Sequence, residues 1–114
     1  MTFDEVRQLA LAWPGVEDGS SYGTPALKVR GKLLCRLKED GETLVVRVSF
    51  DEREMLMEAE PETFFITDHY KPWPSMLVRL NSVAPGTLSR LLRQTWREQA
   101  SKRMLADYDQ GQSA

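Results

Sequence analysis

Residues 20–37 read SSYGTPALKVRGKLLCRL, and this stretch decides how the chain folds. Two turns, centred on Gly23 and Gly31, separate short runs in which apolar and polar side chains alternate. Alternation with a period of two is typical of a half-buried β-strand, and glycine permits the tight turns that join antiparallel strands. The stretch therefore predicts antiparallel strands with Leu27 and Val29 on one face and cationic side chains on the other.

A third turn is predicted at Asp40-Gly41, between two further alternating runs. An Asp-Gly pair in this setting favours a two-residue hairpin whose central residues have positive φ. Counting outward from it predicts three pairs on the core face and two on the opposite face, in this order: Leu37/Leu44, Cys35/Val46 and Leu33/Val48, then Arg36/Val45 and Leu34/Arg47. This register places Cys35 in the core, where a free cysteine behaves as a small hydrophobic residue.

Helical spacing of the apolar residues, together with capping signals and prolines, places the remaining elements. It predicts helices over residues 2–12, from Asp51 to the residue before Pro61, from Pro85 onward and from Ser101 to Tyr108, with short strands at 64–66 and 76–80. Capping boxes are expected from Thr2 with Glu5 and from Asp51 with Glu54, and Ser101 is expected to cap the last helix. Trp13 and Trp96 are expected as core anchors. Residues 110–114 are predicted to form a disordered tail after one domain over residues 1–109. The order of elements predicts the α+β class, an antiparallel sheet packed on one face by N-terminal, middle and C-terminal helices.

The composition is that of a globular protein with one domain. The chain has 114 residues, of which 41% are hydrophobic and 28% are charged, and its formal net charge is −2. It contains neither an apolar run of membrane-spanning length nor the basic start of a signal peptide. Its single cysteine has no internal partner for a disulfide. We therefore expect a cytoplasmic protein with no membrane partner, and we assume a monomer.

Several short motifs carry a family resemblance. They are WPGVE at residues 13–17, SYGTP at 21–25, KVRGK at 28–32, PETFF at 61–65, HY at 69–70 and LVRL at 77–80. Over about residues 2–109 the chain resembles the MmcQ/YjbR family of small bacterial proteins. The resemblance implies a CyaY-like fold, which agrees with the order of elements, and it supplies no established catalytic residues. Family members are labelled DNA-binding by analogy with a double-wing motif, and fold analogy alone is a weak argument for function.

Five cations are predicted to leave the core on the same side of the sheet: Lys28, Arg30, Arg36, Arg47 and Arg79. Because no acidic residue is expected among the strand positions of that face, the face is suited to contact phosphates. This face and the family label together favour a DNA-binding module. The other interpretation is a solvated sheet face, since exposed strand positions commonly carry lysine and arginine.

The loop that contains Tyr70, Lys71 and Trp73 is a second candidate site. Its aromatic side chains can stack on an unpaired base, which would extend a nucleic-acid interface. They equally support the alternative function, a non-enzymatic adaptor that binds a protein or a small ligand through this loop. The sequence leaves both functions open.

The sequence predicts no metal, no cofactor and no enzymatic activity. His69 is the only histidine and has no partner at ligand spacing, which argues against a site of the zinc type. The CyaY-like resemblance raises the possibility of iron held by acidic residues near the first helix: Asp4, Glu5, Glu17 and Asp18. Carboxylates in a first helical turn are already explained by the helix dipole. No hydroxyl or thiol stands beside a predicted base that would activate it as a nucleophile.

Overall fold

The structure, a computed structural model that describes residues 1–113, has the predicted α+β fold. The helices are α1 Phe3–Leu11, α2 Phe50–Ala59, α3 Pro85–Gln99 and α4 Lys102–Ser113. The strands are β1 Val16–Ser21, β2 Thr24–Val29, β3 Lys32–Leu37, β4 Thr43–Arg47, β5 Phe64–Phe65 and β6 Ser75–Arg79, and a short 3-10 helix covers Asp68–Tyr70. All strands belong to one antiparallel sheet in the order β1-β2-β3-β4-β6-β5.

Both turns of residues 20–37 are two-residue hairpins with positive φ. Tyr22 and Gly23 have φ angles of 53° and 78°, and Arg30 and Gly31 have the same two values. Positive φ at both central residues matches the twist of the flanking strands, so short hairpins favour it. A tyrosine or an arginine in this conformation is uncommon, because the conformation suits glycine, asparagine and aspartate.

The turn at Asp40-Gly41 is wider than predicted. Of these two residues only Gly41 has positive φ, and the hairpin closes with a bond of 2.8 Å from the Lys38 N–H to the Thr43 carbonyl oxygen. The Asp40 carboxylate accepts hydrogen bonds from the backbone N–H groups of Glu42 and Thr43, both at 2.9 Å. The aspartate side chain organises the loop by itself, so a second positive φ is not needed.

The predicted register of β3 on β4 is confirmed near this turn and wrong at the far end. The observed pairs are Leu37/Leu44, Arg36/Val45 and Cys35/Val46. The pairs predicted beyond them, Leu34/Arg47 and Leu33/Val48, do not form in the described ladder. The Val48 N–H instead donates to the Pro74 carbonyl oxygen at 3.0 Å. The hairpin therefore opens where the chain after β4 meets the segment before β6.

A β-bulge interrupts the pairing of β2 with β3. Leu27 pairs with Cys35, whereas the next residue, Lys28, pairs with Leu33, so Leu34 is an extra residue in β3. A bulge of this kind changes the direction of the side chains around it. Leu33 was predicted on the core face, but it pairs with Lys28 on the opposite face. Leu34, predicted on that opposite face, is fully buried and belongs to the hydrophobic core cluster. The period of two does not reveal a bulge, which explains the error.

The core lies on the face of the sheet that α1 and α3 cover. Cys35 is fully buried there, as predicted, and its neighbours across the sheet are Leu27 of β2 and Val46 of β4. Trp13 folds in from the end of α1, and its ring centroid lies 6.1 Å from that of Trp96 on α3. The predicted core anchors are therefore confirmed on this face.

Capping side chains set two of the helix starts. Thr2 and Glu5 form the predicted capping box at the start of α1. The start of α2 differs from the prediction: the helix begins at Phe50, and its N-cap is Ser49, whose hydroxyl accepts a hydrogen bond from the Glu52 N–H, rather than Asp51 paired with Glu54. A serine at the N-cap satisfies a donor that the helix itself leaves unpaired.

The last helix is longer than predicted. Ser101 caps it by accepting a hydrogen bond from the Met104 N–H, as expected, but α4 then continues to Ser113. Residues 110–113, predicted as part of a tail, are thus helical, and Ala114 lies outside the described residues. None of the helices in residues 1–113 is long and apolar enough to cross a membrane.

Candidate binding site on the outer face of the sheet

We call the face that α1 and α3 leave uncovered the outer face. The five predicted cations do not form one surface there. Lys28 lies opposite Glu17 of β1, so the expectation of a face without acidic strand positions is wrong. Arg30 occupies a hairpin tip rather than a strand. Arg47 and Arg79 mark opposite ends of the β4–β6 ladder, about 13 Å apart at 3.3 Å per residue. Contact of these cations with phosphate stays a prediction.

Arg36, the central member of the five, is an internal residue. It is 7% exposed, and its Nη1 donates to Thr24 Oγ1 at 3.1 Å and to Glu39 Oε1 at 3.3 Å. Its Nη2 donates to Tyr70 Oη at 3.2 Å. Arg36 is therefore not the freely exposed phosphate contact that the alternating pattern predicted, because the segment between β5 and β6 crosses over it.

That segment, residues 66–74, is the aromatic loop, and it covers part of the outer face. Val45 and Leu77, which pair across β4 and β6 on this face, are both buried. Tyr70 reaches from the loop to β3 through its bond with Arg36. The sheet thus has buried side chains on both faces, and the outer face is neither fully solvated nor a flat basic surface.

Arg53 of α2 holds the aromatic loop in place. Its Nη1 donates to the carbonyl oxygens of Tyr70, Trp73 and Ser75 at 3.2, 2.8 and 3.1 Å, and its Nη2 donates to that of Lys71 at 3.1 Å. The side chain is buried, with 7% of the residue exposed. A guanidinium presents five N–H donors in a rigid plane, which allows one residue to bind several carbonyl groups.

Sequence reasoning missed Arg53, although one signal was available. The residue stands three positions after Phe50 and three before Leu56, within the apolar spacing of α2. A cation in such a stripe needs acceptors inside the protein, because a buried charge without hydrogen bonds is costly. The pattern could not indicate that the acceptors are carbonyl groups up to 22 residues further along the chain.

An open cavity of about 500 Å³ lies between the aromatic loop and the sheet, and we call it the outer-face cavity. Its sheet side is formed by Leu33, Arg36, Val45 and Arg47. The floor of the cavity therefore combines apolar side chains with two guanidinium groups. The bulge contributes directly, since the shifted register brings Leu33 to this face, opposite Lys28 of β2.

Aromatic rings form the walls of the outer-face cavity. His69, Tyr70 and Trp73 come from the aromatic loop, and Tyr22 comes from the hairpin between β1 and β2. The His69 and Tyr70 rings meet edge to face, with centroids 4.8 Å apart. Tyr22 is 88% exposed, and its ring centroid lies 5.4 Å from the Arg36 guanidinium carbon. Four rings around an apolar floor can accommodate a flat molecule by stacking.

The structure joins the two surfaces that the sequence suggested separately. Arg36 and Arg47 of the predicted basic face line the same cavity as Tyr70 and Trp73 of the predicted loop site. Lys71 lies in the loop but does not line the cavity. Lys28, Arg30 and Arg79 lie elsewhere, and the Arg79 guanidinium carbon stacks 4.0 Å from the Phe65 ring centroid.

Glu5 and Asp18, two of the four acidic residues named near α1, have local partners. The Arg7 guanidinium binds both carboxylate oxygens of Asp18, at 2.7 and 2.6 Å, and this pairing lowers the pKa of Asp18. Glu5 serves the capping box of α1. In residues 1–113, no group of three or more histidine, cysteine, aspartate or glutamate side chains is placed to hold a metal ion.

The chain matches the YjbR family over residues 11–98. It is 36% identical over 67 residues to uncharacterized proteins of Mycobacterium bovis and Mycobacterium tuberculosis. The matched segment covers 57% of this chain and 51% of each of these proteins, so the chain spans about half the length of the curated relatives it matches.

A crystal structure of a Deinococcus radiodurans protein with the domain DUF419 has the same fold. Its TM-score is 0.73 at 19% identity, and the superposition covers 93% of this chain and 86% of that one. Fold and cavity define a small α+β domain with a candidate site on one face of its sheet. The chain belongs to the YjbR family, as its motifs predicted.

Proposed function

We propose that this protein is a non-enzymatic binding protein and that its ligand occupies the outer-face cavity. The observation that carries the proposal is the cavity itself, about 500 Å³ between an aromatic loop and an apolar floor that contains two arginines. Small-molecule sites are typically concave, mostly apolar and within this range of volume, with a few polar groups that orient the ligand. We place this function in the cytoplasm.

The absence of catalysis is part of the proposal and is supported by where the reactive groups lie. Cys35 is fully buried on the helix-covered face, and burial raises the pKa of its thiol to about 12. A thiol in that state is a poor nucleophile, since the thiolate is the reactive form. His69 lines the cavity, but no serine, threonine or cysteine hydrogen-bonds to it among the described residues.

Amide-resolved NMR with indole as a neutral, flat probe tests the proposed site. We expect chemical-shift changes confined to the outer-face cavity, including Leu34, Val45 and Ser75. Trp73→Ala should weaken indole binding several-fold, because an exposed stacking surface is lost. Met55→Ala is the matched control, since Met55 is equally exposed but lies away from the cavity. Shifts spread evenly over the surface would contradict the proposal.

Binding of DNA is the second candidate, favoured by the exposed aromatic rings at the rim of the cavity. Trp73 is 59% exposed and Arg47 lines the same cavity, an arrangement suited to an unpaired base and its phosphate. The scattered cations support duplex binding less well, because a duplex offers its bases edge-on and its phosphates along a continuous track.

A salt titration of nucleic-acid binding tests the DNA-binding function. We expect filter binding to retain an oligothymidylate strand more tightly than the corresponding duplex. Arg47→Gln should reduce the slope of log affinity against log salt by about 0.7, the value for one phosphate of a single strand. Arg93→Gln on α3 is the matched control and should leave the slope unchanged. The DNA-binding label would be wrong if neither nucleic acid bound at micromolar protein and low salt.

A further inference from the structure

We infer that the outer-face cavity selects flat aromatic molecules that carry one anionic group, a carboxylate or a phosphate, and that Arg36 binds this group. The inference rests on the proposed function, because it names the class of ligand for the same cavity. It is carried by the hydrogen bonds that Arg36 leaves unmade, by the charges around it and by the shape of the aromatic walls.

Arg36 has hydrogen-bond donors to spare. Its three bonds, to Thr24, Glu39 and Tyr70, use both N–H groups of Nη1 and one of Nη2. A guanidinium has five donors, so the Nε–H and one Nη2–H are left without a partner among residues 1–113. The side chain is only 9% exposed and lines the cavity, so a molecule in the cavity is well placed to accept these bonds.

The spare donors include the atoms with which an arginine binds an anion side-on. Arg7 shows the geometry in this protein, since its Nε and Nη2 bind the two carboxylate oxygens of Asp18 at 2.7 and 2.6 Å. Such bidentate bonds are shorter and stronger than neutral ones and suit carboxylate and phosphate alike. The same two nitrogens of Arg36 therefore fit one anionic group.

The charges around Arg36 leave it poorly neutralised. The carboxylate bonded to it belongs to Glu39, whose side chain is 66% exposed and makes a single contact of 3.3 Å. A carboxylate that stays mostly in water is screened and neutralises its partner only weakly. The residues that line the cavity include Arg36 and Arg47 but no aspartate or glutamate. A ligand anion would therefore meet two cations and no opposing carboxylate on the cavity lining.

The aromatic walls indicate that the rest of the ligand is flat. Tyr22 projects over the Arg36 guanidinium from a turn position with φ 53°, although asparagine or glycine would adopt that conformation at lower cost. Tyr22, Tyr70 and Trp73 line the cavity together with the apolar side chains of Leu33 and Val45, so a stacked aromatic ring can occupy the space among them.

Calorimetry of the full chain with naphthoate, naphthyl phosphate and neutral naphthamide tests the inference. These probes share one ring system and differ in charge. We expect both anions to bind about tenfold tighter than the amide, the effect of one charge-assisted hydrogen-bonded pair. Arg36→Lys, which loses the planar fork, should remove most of that preference. Arg30→Lys at the hairpin tip is the matched control and should keep it.

A second variant keeps the test decisive if Arg36→Lys does not fold. Glu39→Gln changes an exposed residue and removes the carboxylate that competes for Arg36, so it should tighten naphthoate binding several-fold and leave the affinity for naphthamide unchanged.

Equal affinity of the wild-type protein for naphthoate and naphthamide would overturn the anionic class of ligand while preserving the cavity as a ligand site. No binding of any probe at about 1 mM, with no NMR shift at the cavity, would overturn the proposed function too. Binding of single-stranded DNA without binding of naphthoate or naphthyl phosphate would overturn the inference in favour of nucleic acid.

Discussion

The two faces of the sheet are covered in different ways. On the helix-covered face, side chains such as Leu27 and Val46 pack against helices, and burial of apolar surface has no directional requirement. On the outer face, Val45 and Leu77 are buried as well, and the aromatic loop that crosses this face is held by the hydrogen bonds of two buried arginines. Hydrogen bonds need defined distances and angles. The helix-covered face is therefore a continuous apolar core, whereas the outer face is held together by hydrogen bonds between particular atoms and leaves a cavity.

The largest effect is expected from a charge placed in the helix-covered face. Cys35→Asp would bury a carboxylate among aliphatic side chains with no partner, and we expect a loss of at least about 4 kcal/mol in the free energy of unfolding. Urea denaturation measures this loss. Cys35→Ala, which removes only the sulfur, should cost about 1 kcal/mol. A folded Cys35→Asp protein with near-normal stability would mean that this face is not the core.

Removal of the Arg53 guanidinium should damage the outer face alone. Arg53→Met keeps the length of the side chain but leaves four carbonyl oxygens without their donor, so we expect a loss of about 2 to 4 kcal/mol. Hydrogen exchange should accelerate in the aromatic loop first and leave β3 protected. Arg93→Met on α3 serves as control and should change stability by no more than about 0.5 kcal/mol. Equal acceleration of exchange on both faces would show that the faces are not independent.

A smaller effect should appear at the loop between β3 and β4 as the pH changes. Hydrogen bonds from Glu42 and Thr43 lower the pKa of Asp40. A carboxylate with a lowered pKa in the folded state contributes stability above its unfolded value of about 3.9, and that stability is lost as the pH falls through the lowered value. Asp40→Ala should therefore be less stable than wild type at neutral pH, and the difference should shrink in acid. A difference that stays constant from neutral pH to acid would contradict this assignment.

The smallest effect on stability should come from Tyr22. Tyr22→Asn places a residue that tolerates positive φ at the turn, and we expect stability to rise by about 0.5 kcal/mol. Affinity for naphthoate should fall at the same time, because the ring beside Arg36 is lost. Thermal unfolding and calorimetry on the same sample check both quantities. Unchanged affinity would remove Tyr22 from the site.

Local patterns predicted the helix-covered face well. The alternation around Cys35 and the capping box at Thr2 were both confirmed, because each depends on neighbours within a few positions or across one turn. The same patterns placed Arg36 in solvent, since its alternation with Cys35 correctly assigns a face but says nothing about what covers that face. The loop that buries Arg36 begins about 30 residues later in the chain.

The candidate site was predicted only in part, and for a physical reason. Charge and aromatic content drew attention to Arg47 and Trp73, which do line one cavity. The sequence could not predict the bulge at Leu34 or the hydrogen bonds from Arg53 to backbone carbonyl groups. Neither an extra residue in a ladder nor a set of backbone acceptors produces a recognisable pattern of side chains. The register error at Leu33 follows from the same limitation.

The three tryptophans are divided between the two faces. Trp13 and Trp96 are buried, with exposures of 7% and 0%, whereas Trp73 stands at the rim of the cavity. Indole emission moves to longer wavelengths when the ring is in water, so the protein carries two spectrally distinct intrinsic reporters. Excitation at the red edge favours Trp73, while the blue side of the emission band follows the core pair. Melting of the core and occupation of the cavity can thus be followed separately in one unlabelled sample.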